Sequence, residues 1–418
     1  RVLDPLLATP LLLALRQLAR QGPRSRAPVF VLAISLGLGV FYASLARSSQ
    51  IWTSDRLRHE VGADLTFDHA VIEDQWGGGL PRGADAWQLP SQDYEAIEGV
   101  TRATRVASYS AGTRIGGRRE QRISLIGIER MSFPAVAYFR SDYAKAPLGE
   151  LMNQLALHPR GALVSRAFVQ EHGLLVGDPL IVSFRPENQD ATSTLDYEIV
   201  GTFEYFPTVD QDELAVVVNI ETIFEGVGQV LPHSIWMRTS PQADVDAIMA
   251  QVEGLGIVPA RPRVLAEIQE KEEGQREYVG ALGTMSVSFL ASLLVAAVGT
   301  LVHLFAGLMH RRSTLAMLRG IGFRLSEVSA SVLSEYAILV GVATTGGALV
   351  GLAASELYGP YMPLASPSIE AIPPFIAYND TSAMWLMAVA MLLTTLTVVL
   401  LAFRYLKRQR VFEALRMG

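Results

Sequence analysis

RRSTLAMLRGIGFRLSEVSASVLSEYAILVGVATTGGALVGL, running from Arg311 to Leu352, changes character in its middle. Its first part sets Arg311, Arg312, Arg319 and Arg324 around the apolar residues Leu315 and Leu318, with Gly320 and Gly322 breaking the run. Its second part is apolar, with Glu335 as an early acid. A bilayer core asks for about 20 apolar residues in a helix, and Tyr336 to Ser355 supplies 20 without a charge. A short arginine-rich segment leading into a membrane-spanning helix is therefore the reading on which the fold turns.

Working outward, three more stretches meet the same length test. Pro28 to Ala46 is 19 residues without a charge, and Thr381 to Phe403 is 23. Tyr278 to Met309 is 32 residues without a formal charge, His303 being its one ionisable member. The composition agrees. Half of the 418 residues are hydrophobic and only 18% are charged, where a soluble domain carries roughly a quarter. Mean hydropathy is +0.27. A cleaved signal peptide is a poor account of the first stretch, because 27 residues with five arginines precede it.

Charge then orients the chain. Residues 1–27, 310–327 and 404–418 together hold 14 basic and 3 acidic residues, whereas 356–380 has no lysine or arginine. Residues 47–277 hold 21 basic and 34 acidic residues. Since cytoplasmic flanks concentrate arginine and lysine, both termini and the Arg311 loop are expected in the cytoplasm, and the long insert outside. The expected fold class is an α-helical membrane protein of four transmembrane helices, with a large two-lobed α+β extracytoplasmic domain between helices 1 and 2. The expected segments are a basic amphipathic leader (1–27), the first span (28–46), the external domain (47–262), a stalk helix (263–277) and the second span (278–309). A cytoplasmic coupling segment (310–327), the third span (328–355), an external loop (356–380), the fourth span (381–403) and a cytoplasmic tail (404–418) complete the chain.

Within the insert, alternation and turn residues predict strands at Asp64–Phe67, Thr113–Ile115, Gln121–Ile128, Leu180–Phe184 and Tyr197–Phe203, with a hairpin loop at Pro186–Ser193. Ile235–Arg238, Pro241–Glu253 and Gly256–Val258 read as strand, helix, strand, with Thr239 or Ser240 as the helix cap.

No catalytic constellation emerges. With no cysteine there is no disulfide framework, thiolate metal site or cysteine nucleophile. The three lysines, Lys145, Lys271 and Lys407, do not follow glycines, so a GxxxxGK[ST] phosphate loop is absent. The seven histidines show neither HExxH nor an i, i+4 pair. No cofactor, metal or nucleic acid is expected to bind this chain. Two intramembrane polar residues remain. Glu335 would cost several kcal/mol in lipid unless it faced protein or water, so it is expected inside a helix bundle as a structural pair, with a proton or substrate relay as the sharper alternative. His303 is expected neutral and packed. Gly341, Gly346, Gly347 and Gly351 let helices approach closely in lipid, so the third span is expected to press on another helix of this chain or of a second permease copy.

The stretch quoted first resembles the cytoplasmic signature of the FtsX-like permease family, the membrane subunits of MacB- and LolC-type ABC systems. Leu315, Ala316, Leu318, Arg319, Gly320 and Gly322 stand at its E-x-A-x-L-R-A-x-G positions, and Glu335 at the early glutamate of the following span. Ser313 and Thr314 stand where that signature carries an acid. LALRQLARQGPRSRAPVFVLAISLGLGV resembles the family's arginine-rich leader and first span. VGADLTF (Val61–Phe67), ALVSRAFVQEHGLLVGDPLIV (Ala162–Val182) and YEIVGTFEYFPT (Tyr197–Thr208) resemble segments of the MacB-like periplasmic core, and VFEALRMG (Val411–Gly418) the closing A-L-R motif.

The resemblance implies a non-catalytic permease subunit in the inner membrane of a bacterium, paired with a separate, dimeric ATPase that binds ATP and Mg. It implies that Arg311, Arg312, Leu315, Leu318, Arg319, Gly320 and Gly322 form the contact through which that ATPase acts. Motion of the external domain would then export or extract a lipid, lipoprotein, peptide or hydrophobic compound. The alternative is an ATP-driven signalling or scaffold protein that activates an external partner such as a cell-wall hydrolase. Further expected partners are membrane lipid and a second permease copy or half. Some relatives carry this unit twice, so the chain, which begins at Arg1, is also expected to suit the second half of a longer permease.

Overall fold

The computed structural model describes residues 22–69, 89–115, 120–185, 192–210, 213–310, 317, 321–322, 325–361 and 372–408. In chain order its helices and strands are α1 (Gly22–Val61), β1 (Leu65–His69), α2 (Ser91–Tyr94), β2 (Val100–Thr113), β3 (Gln121–Ile128), α3 (Phe133–Val136), α4 (Leu148–Leu157), β4 (Gly161–Ser165) and α5 (Arg166–His172). Then follow β5 (Pro179–Phe184), β6 (Ser193–Phe203), β7 (Ala215–Asn219), α6 (Ile220–Val227), β8 (Ser234–Thr239), α7 (Val245–Gly254), β9 (Pro259–Val264), α8 (Leu265–Glu273), α9 (Arg276–His310), α10 (Leu325–Tyr358) and α11 (Thr381–Arg408). Two compact units result, one made of Arg1–Trp52 with Gln275–Gly418 and the other of Thr53–Gly274.

Val29–Val61, Tyr278–Gly307 and Ser334–Tyr358 are long and apolar enough to cross a membrane, and Thr381–Thr397 is a shorter apolar helix; the first of them belongs to the first unit as far as Trp52, and Thr53 to Val61 belong to the second. Their inner faces share one core. Leu32, Leu36 and Val40 of α1 meet Ala296 of α9, Val340 and Ala343 of α10, and Met387 and Met391 of α11. Their other faces leave Leu290, Leu294, Leu349, Trp385 and Leu392 exposed. That distribution suits a lipid surround, where outward leucines cost nothing.

The second unit is one nine-stranded mixed sheet in the order β3-β7-β4-β6-β5-β2-β8-β1-β9. Because β3 also pairs with β2, the strands β2, β3, β7, β4, β6 and β5 close into a ring. Side-chain parity follows the closure. Ile123 and Leu125 of β3, Val216 and Val218 of β7, Ala162 and Val164 of β4, and Val182 and Phe184 of β5 pack into one core with Ile199 and Tyr197 of β6. The intervening residues, Ile126, Val217, Leu163 and Val200, face the opposite way, onto Phe133 of α3 and Leu151 and Leu155 of α4. Outside the ring, β8, β1 and β9 extend the sheet, with Ile248 and Val252 of α7 packed on Leu65, Phe67, Ile235 and Met237.

Several expectations need revision. The two expected lobes are two ends of a single sheet, bridged by β2, whose first half pairs with β8 and whose second half pairs with β3 and β5. The expected strand Thr113–Ile115 is only the last residue of β2, beyond which 114–115 leave the sheet. The helix after β8 is capped by Asp244, whose Oδ1 accepts from Asp246 N–H (3.0 Å) and Ala247 N–H (3.3 Å), not by Thr239 or Ser240. The strand expected at Gly256–Val258 lies instead at Pro259–Val264. The stretch expected as a stalk helix, Arg263–Glu277, divides: Arg263 and Val264 end β9, α8 stops at Glu273 with the Gly274 N–H on the Glu270 carbonyl (2.9 Å), and α9 begins at Arg276. The first helix, finally, does not end near Ala46 but runs to Val61, carrying Arg47, Asp55, Arg56 and Arg58 within it.

Candidate functional site

In α10 the glycines sort into two sets. A Cβ on Gly347 would lie 2.5 Å from the Ala33 carbonyl oxygen, and one on Gly351 would lie 2.5 Å from that of Gly37. A Cβ on Gly37 would in turn lie 3.0 Å from the Gly347 carbonyl. α1 and α10 therefore cross backbone to backbone at a glycine spacing of four, which only hydrogen side chains permit. Gly341 and Gly346 face open space. Glu335 sits one residue before Tyr336 and is 3% exposed. Tyr336 meets His303 of α9 edge-on at 5.7 Å between ring centroids, and its hydroxyl occupies the position that a side chain on Gly307 would need. The Tyr336–His303 contact brings His303 beside the turn of α10 that carries Glu335.

Of the coupling residues, Arg311, Arg312, Leu315, Leu318, Arg319 and Gly320 lie outside the described residues. Gly322 is described. It adopts φ +105°, and among the described residues nothing lies within 4 Å of where a Cβ would stand; Ile321 beside it is 77% exposed.

A second polar centre, absent from the sequence expectations, lies in the sheet unit at the end of α1. Asp55 accepts from the Tyr138 hydroxyl at 2.7 Å and from Arg140 Nη1 at 3.0 Å. Arg140 also grips Asp142 with two hydrogen bonds, at 2.6 and 2.7 Å. One turn further along α1, His59 is buried, with Nε2 3.0 Å from the Val209 carbonyl and Nδ1 3.0 Å from the Tyr143 hydroxyl. A carbonyl only accepts, so Nε2 carries the proton and Tyr143 donates to Nδ1. Burial lowers the His59 pKa, against the opposing pull of the Val209 carbonyl and Asp210. Burial likewise pushes the Tyr138 and Tyr143 hydroxyls well above the usual phenol range. Backbone bonds complete the socket: Thr208 N–H to His59 carbonyl (2.8 Å), Tyr138 N–H to Gly62 carbonyl (2.9 Å), and Glu204 N–H to Tyr143 carbonyl (2.7 Å). Thr208 sits at φ 65°, a conformation that β-branched residues avoid. The helix end is held from two sides, by 138–143 and by 204–209. The signal that could have found it is the spacing Trp52, Asp55, His59 on one face of a continuing helix.

Next to this socket opens a cleft of about 480 Å³, lined by Tyr138, Phe139, Ser141, Lys145, Leu148 and Arg238 among others. Among the described residues no cluster of three histidine or acidic side chains could hold a metal ion.

The sequence matches the family model described as the MacB-like periplasmic core domain over residues 29–255, and that described as the FtsX-like permease C-terminal over residues 286–410. No curated protein matches the chain. Among solved structures, the periplasmic region of MacB from Actinobacillus actinomycetemcomitans is 12% identical, with 50% of this chain and 92% of that one covered and a TM-score of 0.33. The extracellular domain of the noncanonic ABC-type transporter YknZ from Gram-positive bacteria is 13% identical, with 48% and 98% covered and a TM-score of 0.32.

Proposed function

Because this chain belongs to the FtsX/MacB-type family of ABC transporter permeases, we propose that it is the membrane subunit of an export or extraction system driven by a separate ATPase. Four transmembrane helices, with the sheet unit outside the cytoplasm between the first and second, are part of this reading, as is an inner-membrane location with both termini inside.

The observation that carries it is the order of the two family matches along a chain that lacks a phosphate loop. An external core is followed by a permease segment that includes the basic stretch Arg311 to Arg324. No phosphate loop lies within these residues, and the basic stretch is suited to receive energy from an ATPase: an amphipathic segment with arginines and two leucines fits a groove on a soluble partner. In this reading Leu315 and Leu318 are the apolar anchors, and the arginines fix orientation. The substrate is an amphipathic or apolar compound held by the sheet unit, whose displacement by the helices does the work.

Gentle extraction from the native membrane, followed by mass spectrometry of what co-purifies, tests the proposal. An ATPase with a phosphate loop is the expected companion. Replacing Leu315 and Leu318 together by aspartate should remove it, while the protein still inserts. An ATPase that stays bound to the double variant overturns the docking assignment, and the absence of any ATPase overturns the proposal itself.

A further inference from the structure

The cleft beside the helix socket combines an apolar wall with a cationic rim. Its walls are apolar, built from Ala137, Phe139, Ala146 and Leu148, which pack behind it on the core that α3 and α4 cover. Its rim carries two cations, Lys145 and Arg238, both exposed and both without an acidic partner within ion-pair distance among the described residues. The unit's half-buried arginines Arg56, Arg105 and Arg140, by contrast, are committed to carboxylates. Two uncommitted cations over an apolar trough mark a place for an anion with an apolar body.

We infer that this cleft binds a single-chain acyl carboxylate, its head group between Lys145 and Arg238 and its chain against Ala137, Phe139 and Leu148. At about 30 Å³ per water-sized group, 480 Å³ holds on the order of sixteen such groups, enough to seat one chain of ten to twelve carbons. Ser141 adds a hydroxyl at the rim. Tyr138 belongs to the cleft and also to the socket, through its bond to Asp55. The occupant therefore touches the segment that grips α1. The inference narrows the substrate class of the proposed export reading, yet its test needs no ATPase, so the two can fail separately.

The test uses the full chain in lipid nanodiscs and a decanoic acid carrying a diazirine near its tail. After illumination, labelled peptides are mapped by mass spectrometry. Labelling of the apolar helices, where any amphiphile partitions, serves as the internal reference. The expected result is labelling within residues 134–148 that excess decanoate suppresses and decyltrimethylammonium does not. Lys145→Glu and Arg238→Glu should each lower it by about tenfold, the worth of one charge-assisted contact, while Arg185→Glu, an exposed cation away from the cleft, leaves it unchanged. Lys145→Gln and Arg238→Gln, which impose no repulsion, should show the same direction. Labelling that persists in both charge reversals, that decyltrimethylammonium suppresses equally, or that stays confined to the apolar helices overturns the inference.

Discussion

Gly62 terminates α1 at φ +88°, with its N–H on the Arg58 carbonyl at 2.8 Å, and a Cβ there would run into the Trp236 ring. Conformation and space both demand glycine. Gly228 shares the left-handed backbone (φ +78°) but has nothing within 4 Å. Gly228→Ala should therefore cost about 1 kcal/mol, the backbone penalty alone, and Gly62→Ala about 2–4 kcal/mol once overpacking is added. Thermal unfolding of the solubilised chain measures both, and equal losses would remove the packing argument. His59 makes a pH prediction with a definite sign. Burial lowers its folded-state pKa from 6.5, so neutral His59 contributes its full stability above that pH. Below it the unfolded chain takes a proton that the native state refuses, and stability falls by at most about 1.4 kcal/mol per pH unit. His59→Asn should start less stable, having lost its fit to Tyr143 and Val209, but decline less steeply from pH 6.5 to 5.5. Parallel declines would show that other groups set the acid sensitivity.

At the scale of elements, the long apolar helices were legible because length and charge-free composition are hard to produce otherwise, β5 and β6 because one face alternates, and β3 and β8 from short runs of apolar residues, since their buried positions run together. β4 and β7 escaped for a physical reason. GALVS and AVVVN are almost wholly buried and each pairs in parallel with a neighbour, and such strands read as continuous apolar runs without a period. β2 escaped because its alternation breaks at a bulge near Val100/Arg102 and again where it changes partners. The extension of α1 to Val61 was hidden by its charges, which read as the start of a soluble domain although Asp55 and His59 are buried polar anchors. The small residues of α10 were legible as a group, whereas their division was not, since composition says nothing about azimuth. That division is testable. Gly347→Leu or Gly351→Leu should force α1 and α10 apart and cost about 1–3 kcal/mol each, seen as earlier unfolding in an SDS titration. Gly341→Leu and Gly346→Leu, facing open space, should stay within about 0.5 kcal/mol of the parent. Four equal effects would mean that the crossing is not where the backbones touch.

For the whole molecule, the sequence proposes a coupling segment through a resemblance and an orientation through charge, and it announces neither the socket nor the cleft. Both of those assemble from segments far apart in the chain: 55–59 with 138–143 and 204–209, and 134–148 with Arg238. No local pattern announces such meetings. The orientation, by contrast, rests on arginine counts alone, and the chain offers a clean way to test it. With no native cysteine, every introduced thiol is the only one present. A membrane-impermeant maleimide added to intact spheroplasts should label Glu253→Cys, an exposed position at the end of α7, and Glu356→Cys, exposed near the end of α10. Ser313→Cys, within the arginine-rich stretch, should label only after the membrane is permeabilised. All three outcomes are expected together, because the charge rule sets the flanks with 14 bases against 3 acids on one side of the membrane and the acidic insert on the other. If Ser313→Cys reacts in intact cells while Glu253→Cys does not, the charge rule has been misapplied, and an ATPase on the cytoplasmic face could not reach the segment assigned to it. If Glu253→Cys and Glu356→Cys fall on opposite sides, the number of crossings between them is odd, and the second or the third helix of the proposed four must be redrawn.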